Sequence, residues 1–352
     1  MKILIIQQKM IGDVLTTSIL FEALKAEHPN AELHYVINSH TFAVVEHNPF
    51  IDKFLFVTPE IEDNRAEFLS FLKGIKKEQY DVVIDVYSKF SSNLMTKFSG
   101  AAIKISKHKW YTKYYYTHTF KEATEAKTNA GLAIENRLQL LAPIVDKIPA
   151  AIRPKIHLTS EEISASKQLL SDAKIDLSKP LYMISVLGSG TNKTYPLPHM
   201  AKVIDFIVTQ TKGQILFNYI PIQIDEAKTV YNFCTSETKK HIFFDVFGKS
   251  LREFLAITYH CTAMIGNEGG GVNMAKALSI PTFTIFSPWI IKEAWNMFED
   301  GKQNVSVHLK DFNPDIVENS SPKELKENYK SLYELIKPSL FIEELEKFLN
   351  SN

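Results

Sequence analysis

Ala263-Met264-Ile265-Gly266-Asn267-Glu268-Gly269-Gly270-Gly271-Val272-Asn273-Met274-Ala275-Lys276-Ala277-Leu278 is the stretch that decides the fold. An apolar run stops at a loop carrying four glycines and one carboxylate, and a helix-like segment follows. A second apolar run, Thr282-Phe283-Thr284-Ile285-Phe286, comes next. The order is strand, glycine loop, helix, strand. Unpaired N–H groups at such a helix start point the same way as the helix dipole and attract anions. Glycine lets the backbone approach a ligand closely. Taken alone, the loop serves equally well as a phosphate cradle and as a tight strand-to-helix turn.

The same alternation runs through the chain. Ile3 to Ile6 reads as a buried strand, Asp13 to Glu27 as a helix with Leu15, Ile19, Ala23 and Leu24 on one face, and Glu32 to Ile37 as a second strand. Glu67 to Lys77 is helical and Val82 to Val86 is another strand. Prolines 143, 149 and 154 then punctuate the chain, and Ser160 starts a polar helix running to about Lys174. A second series follows: a strand at Leu181 to Val186, a helix from Pro198, a strand at Gln214 to Phe217, and a helix from Asp225. A strand at His241 to Phe244 and a helix from Ser250 lead into the glycine loop, and Pro322 to Asn352 closes the chain as one or two helices. Strands alternating with helices imply parallel sheets covered on both faces. The expected fold class is therefore α/β, two Rossmann-like doubly wound domains facing a central cleft. The expected domains are 1–165 and 166–325, with 326–352 as a C-terminal helix packing back toward the N-terminal domain.

At 352 residues the chain exceeds the usual size of one core. Forty basic residues balance forty acidic ones, so no global field points to nucleic acid. Cys234 and Cys261 form no metal or redox motif, and the histidines, including His40, His47 and His260, show no metal-ligand spacing. No metal or cofactor is expected. The N-terminal apolar run is too short for a secretory signal, and no stretch approaches the ~20 apolar residues of a membrane span. The expected location is the cytoplasm.

In open α/β sheets ligands bind outside the carboxyl ends of strands, and three loops lie at such positions. Gln7 to Val14 has the single glycine Gly12, so the dinucleotide fingerprint is absent. Asp13 sits where a helix begins. It can cap that helix or, as an acceptor-only carboxylate, take a proton from a substrate hydroxyl. Ser185 to Pro196 carries Gly188, Ser189, Gly190, Thr191 and Lys193. These supply amides, hydroxyls and an ammonium suited to phosphate, though the same residues suit a solvated turn. The opening loop is the third.

Together the three loops resemble those of glycosyltransferase family 9, the lipopolysaccharide heptosyltransferase-like enzymes of GT-B fold. The likeness runs from Met1–Ile6 and Ile11-Gly12-Asp13-Val14 through Tyr80–Asp85, Gly188–Pro196 and Gly248–Phe254 to Ile265-Gly266-Asn267 and the closing Ile336–Leu349. It implies inverting, metal-independent transfer of a sugar, heptose among the candidates, from a nucleotide diphosphate to a hydroxyl of a lipopolysaccharide-core glycolipid. By this resemblance 1–165 binds the acceptor and 166–325 the nucleotide sugar, with Asp13 as general base and Lys193 stabilising the leaving diphosphate. Gly188, Ser189, Gly190, Thr191, Glu226, Glu268, Gly269, Gly270, Gly271 and Asn273 fall on the donor side. The partners implied are a nucleotide sugar and an anionic glycolipid, with peripheral contact at the inner face of the inner membrane. The chain departs from the pattern where Glu268 stands for Asp, Gly269 for a hydroxyl residue, Asn273 for His and Tyr195 for Trp. Phe217 to Pro221 also lacks the usual glycines. Two other activities fit the same fold: non-catalytic binding of a nucleotide sugar or glycan, and nucleotide-sugar epimerisation.

Between Lys97 and Lys121 stand six lysines and no carboxylate, interleaved with Trp110, Tyr111, Tyr114, Tyr115 and Tyr116. Lys107, Lys109, Trp110 and Lys113, with Gly12, are the expected acceptor contacts. The segment can also touch an anionic membrane surface or form a solvated basic loop with its aromatics tucked inward.

Overall fold

The computed structural model describes all 352 residues, in two compact units, Met1–His157 and Leu158–Asn352. The first holds six parallel strands: β1 (Lys2–Ile6), β2 (Glu32–Asn38), β3 (Lys53–Val57), β4 (Val82–Asp85), β5 (Ile103–Lys107) and β6 (His118–Phe120). Their order is β3-β2-β1-β4-β5-β6. The second holds five parallel strands: β7 (Leu181–Ser185), β8 (Gln214–Asn218), β9 (Ala263–Asn267), β10 (Thr282–Ile285) and β11 (Asn304–Val307), in the order β11-β10-β9-β7-β8.

Continuous apolar strands are the mark of a sheet covered on both faces. Leu4, Ile6, Val36 and Val83 pack with Leu72, Ile75 and Met95 on one side of the first sheet, while Ile3 and Ile5 are equally buried on the other. In the second sheet Tyr182, Ile184, Ile265 and Phe283 face one core, and Met183, Leu216 and Met264 face another. The order of strands reverses between β1 and β4 in the first sheet, and between β7 and β9 in the second. Splayed loops at such reversals leave a crevice at the strands' carboxyl ends. The loops after β1, β7 and β9 are the three singled out in the sequence.

Several expectations are corrected. The helix expected over Asp13 to Glu27 is two, Ile11–Thr17 and Ile19–Glu27. Both the amide and the hydroxyl of Ser18 donate to Leu15 O, a local bond that competes with the helical ladder. His241 to Phe244 is no strand: one bridge joins Ile242 to Ile215, and the chain turns away at once as Val246 N–H donates to Phe243 O. The basic segment 97–121, for which a solvated loop was one of the readings, contains β5 and β6.

The domain boundary falls at 157/158 rather than 165/166, because the helix Ser160–Asp172 buries Leu170 against Ile257 and Met264 of the second unit. Residues 326–352 build into that same unit. Phe341, Leu345 and Phe348 are buried in its core, and the Phe348 ring lies 5.6 Å from that of Phe283. No helix is long and apolar enough to cross a membrane.

Candidate active site

In the first unit β1 delivers the chain to a short loop and then to the helix bearing Asp13. Asp13 Oδ2 accepts from the Met10 amide at 3.3 Å, so the capping role is real. Its other oxygen is engaged by a residue the sequence did not single out: Arg137 Nη2 donates to Asp13 Oδ1 at 2.7 Å. Arg137 is itself fixed through Nε to Thr17 Oγ1 at 3.0 Å and through Nη1 to Ala133 O at 2.8 Å. A guanidinium anchored at three points holds the carboxylate in one orientation, with lone pairs left for a hydroxyl donor. No local signal marks Arg137, which lies 124 residues from Asp13.

Asp13 and Arg137 line a cavity of about 180 Å³ together with Gln7, Lys9, Tyr87, Lys89, Lys107, Glu122 and Asn136. Four cations against two carboxylates make it a place for an anionic group. The expected acceptor contacts divide. Lys107 lines the cavity and reaches Glu122 at 3.4 Å. Lys109 turns aside and donates to Ser88 O at 2.5 Å; burial pushes its ammonium down, with Lys107 and Lys89 acting in the same direction. Trp110 and Lys113 are exposed and do not line the cavity. An added Cβ at Gly12 would meet nothing within 4 Å, so space alone does not require glycine there.

Beneath Lys109 lies Asp85 at the end of β4. It is fully buried and accepts from Tyr116 Oη at 2.6 Å and from the Ser88 amide at 2.7 Å. Burial raises its pKa, and the two hydrogen bonds and Lys109 work against that rise. Its oxygens are spent on holding the loop after β4.

In the second unit, the loops after β7 and β9 meet. Lys193 Nζ stands 3.1 Å from Glu268 Oε1, a pair in which Glu268 is almost wholly buried. The Lys193 ammonium also lies 5.5 Å from the centre of the Trp289 ring. Trp289 Nε1 and Ser287 Oγ both donate to Asn192 O at 2.8 Å, which pins the backbone just before Lys193. Gly188 packs so tightly against this turn that an added Cβ would lie 2.2 Å from Lys193 O. Ser189 is exposed, and Gly190 O accepts from Thr194 Oγ1 at 2.9 Å. Past Glu268 the backbone passes through Gly269 at φ 151°, a conformation that L side chains rarely adopt, and the helix Gly270–Ala277 begins. Gly271 and Asn273 lie in its first turn, with Asn273 N–H bonded to Gly269 O. Lys193, Glu268 and the glycines are thus brought together.

Thr191 and Glu226 line a different hollow, of about 300 Å³, with Tyr195, Tyr329 and Tyr333; neither Lys193 nor Glu268 lines it. The Tyr195 ring is fully buried, and its hydroxyl donates to Ile336 O.

Asn267, also missed in the sequence, ties the two loops. Its Oδ1 accepts from the Tyr195 amide at 2.6 Å and its Nδ2 donates to Ser185 O at 2.8 Å. Both bonds are buried, so truncation strands a donor and an acceptor. Asn267→Ala is expected to cost roughly 2–5 kcal/mol of stability, read from denaturant midpoints; a loss under about 1 kcal/mol would remove Asn267 as the tie. No group of three or more His, Cys, Asp or Glu is placed to hold a metal ion, and His260 bonds Ser166 Oγ and Ile163 O.

Each unit is doubly wound, with a carboxylate after the first strand of one and a lysine-bearing glycine loop after the first strand of the other. The chain belongs to glycosyltransferase family 9 (heptosyltransferase), whose model matches residues 68–319. Lipopolysaccharide heptosyltransferase 1 of Campylobacter coli is 24% identical over 294 residues, covering 81% of this chain and 84% of that protein. Among solved structures, a family 9 glycosyl transferase from Veillonella parvula DSM 2008 superposes at a TM-score of 0.83 with 18% identity, covering 100% of this chain and 98% of its own. An E. coli heptosyltransferase with ADP-2-deoxy-2-fluoro heptose superposes at 0.64 with 16% identity, covering 98% and 100%. The fold is that of the GT-B heptosyltransferases.

Proposed function

We propose that this glycosyltransferase moves a sugar, with inversion and without a metal ion, from a nucleoside diphosphate to a hydroxyl of an anionic, lipopolysaccharide-core type glycolipid. The observation that carries the reading is Asp13, held by Arg137 at the switch point of the first sheet in a basic cavity. Asp13 takes the proton of the acceptor hydroxyl while that oxygen attacks the anomeric carbon. The bond from the anomeric carbon to the diphosphate oxygen breaks, and its electron pair leaves with the nucleotide. Lys193 and the amides of Ser189 and Gly190 receive that charge. The structural neighbour bound to an ADP-linked fluoro-heptose supports ADP-heptose as the first donor to test. The reading places the work at the cytoplasmic face of the inner membrane.

The chain incubated with a panel of nucleotide sugars and truncated lipopolysaccharide acceptors is expected to release nucleoside diphosphate only when both substrates are present, unchanged by EDTA, with inverted anomeric configuration in the product. Tight donor binding without release would favour a non-catalytic binder. A changed sugar without acceptor would favour an epimerase.

A further inference from the structure

We propose that the face formed by Lys89, Phe90, Trp110, Tyr111, Lys113 and Tyr114 docks the enzyme on an anionic phospholipid bilayer. The inference deepens the proposed function, since an acceptor with a lipid anchor must be met at such a surface.

The helix Phe90–Ser99 packs against the turn Lys113–Tyr115, and Lys97 Nζ stands 5.9 Å from the centre of the Tyr115 ring. At the other end Lys109 bonds Ser88 O, drawing the segment after β5 against the residue preceding Lys89. The two stretches therefore share one face. On it Phe90 is 78% exposed, Trp110 77%, Tyr111 58% and Tyr114 83%. Aromatic rings carry large apolar area, and four left in water on one face mark an interaction surface. From residue 86 to residue 121 there are seven lysines and no carboxylate, and Lys89, Lys97 and Lys113 make no ion pair.

The chemistry separates a bilayer from a sugar ligand. A glycan site sets carboxylates or amides beside its aromatic rings to bind hydroxyls. Here the one amide side chain in that span, Asn93, is buried against Tyr116 Oη. Tryptophan and tyrosine beside lysines that have no carboxylate partner instead match the headgroup boundary of an anionic membrane. Lys89 also lines the Asp13 cavity, so the surface runs up to its rim. An acceptor can then keep its acyl chains in the bilayer while its sugar reaches Asp13.

The full chain is sedimented with phosphatidylcholine vesicles, with and without phosphatidylglycerol. Retention is expected on the anionic vesicles only, weakened at high salt. A Phe90→Ser, Tyr111→Ser, Tyr114→Ser triple variant is expected to lose at least tenfold in vesicle affinity, with its melting temperature and its transfer to a water-soluble truncated acceptor unchanged. Equal retention on neutral vesicles, retention only when the vesicles contain the acceptor glycolipid, or a triple variant that binds like the parent would each overturn the proposal. Vesicle binding does not depend on turnover, so failure of the transfer assay with intact vesicle binding would count against the proposed function alone.

Discussion

Asp13→Asn is expected to lower sugar transfer by about 10²–10⁴-fold, the range contributed by a positioned general base, while nucleotide binding survives. The substitution keeps the shape and one acceptor oxygen toward Arg137, gives up the longer bond from the Met10 amide, and leaves an amide that cannot take the proton of the attacking hydroxyl. Arg137, at 2.7 Å from the carboxylate, would lose its ionic partner and keep its bonds to Thr17 and Ala133. The backbone bond from Val14 N–H to Met10 O still holds the helix start, and the loss should appear in kcat rather than in donor affinity. Steady-state transfer with saturating donor checks this. An Asp13→Asn enzyme of near-parental rate would show that Asp13 only caps its helix.

Lys193→Ala carries the second large effect. One well-placed charge on a leaving group contributes about 3–4 kcal/mol, or roughly 10²–10³ in rate. Binding of nucleoside diphosphates should fall far more than binding of the nucleoside; equal losses would take Lys193 out of the phosphate site. The variant also strands Glu268, whose carboxylate is buried beside the ammonium at 3.1 Å. A buried charge without its partner destabilises on its own account. Lys193→Ala combined with Glu268→Gln separates the two effects: stability should recover in the double variant, while the defect in diphosphate binding should remain. Calorimetric titration with nucleoside and nucleoside diphosphate, beside a thermal melt, reads both.

Much of the scaffold was legible because parallel strands covered on both faces must be apolar along their whole length. Runs such as Ile3–Ile6 and Leu181–Ser185 can hardly be anything else in a chain with this alternation. The strands that escaped were β3, β5, β6 and β11. β5 and β6 lie in a stretch dominated by lysines and tyrosines, where a short edge element leaves no continuous apolar run. His241 to Phe244 erred in the other direction. Ile242 is buried and Phe244 is half-buried against the rings of Phe217 and Tyr231, but the backbone turns after one bridge.

The candidate site divides in the same way. Asp13, Lys193 and Glu268 were visible because each sits in the loop or first helical turn that follows an apolar strand, where the fold class puts its ligands. Arg137 and Asn267 were not. Arg137 comes from an unremarkable helix, and Asn267 is the last residue of β9, with nothing local to separate it from any buried polar residue. The expected acceptor residues from Lys107 to Lys113 were found as a group but could not be sorted. Adjacent residues of a strand and the turn after it point to opposite sides, so Lys107 enters the Asp13 cavity while Trp110 and Lys113 face solvent.

The sequence by itself determined the α/β class, the two sheets, and the loops that bear the carboxylate and the lysine. These follow from hydrophobic period and from glycine placement, properties of neighbours along the chain. Only the tertiary structure decided that Arg137 grips Asp13, that Glu268 pairs with Lys193, that Asn267 ties their loops, and that four aromatic rings share one exposed basic face. Those pairings join residues 72 to 124 positions apart, and strand order, not local pattern, brings such residues within hydrogen-bond reach.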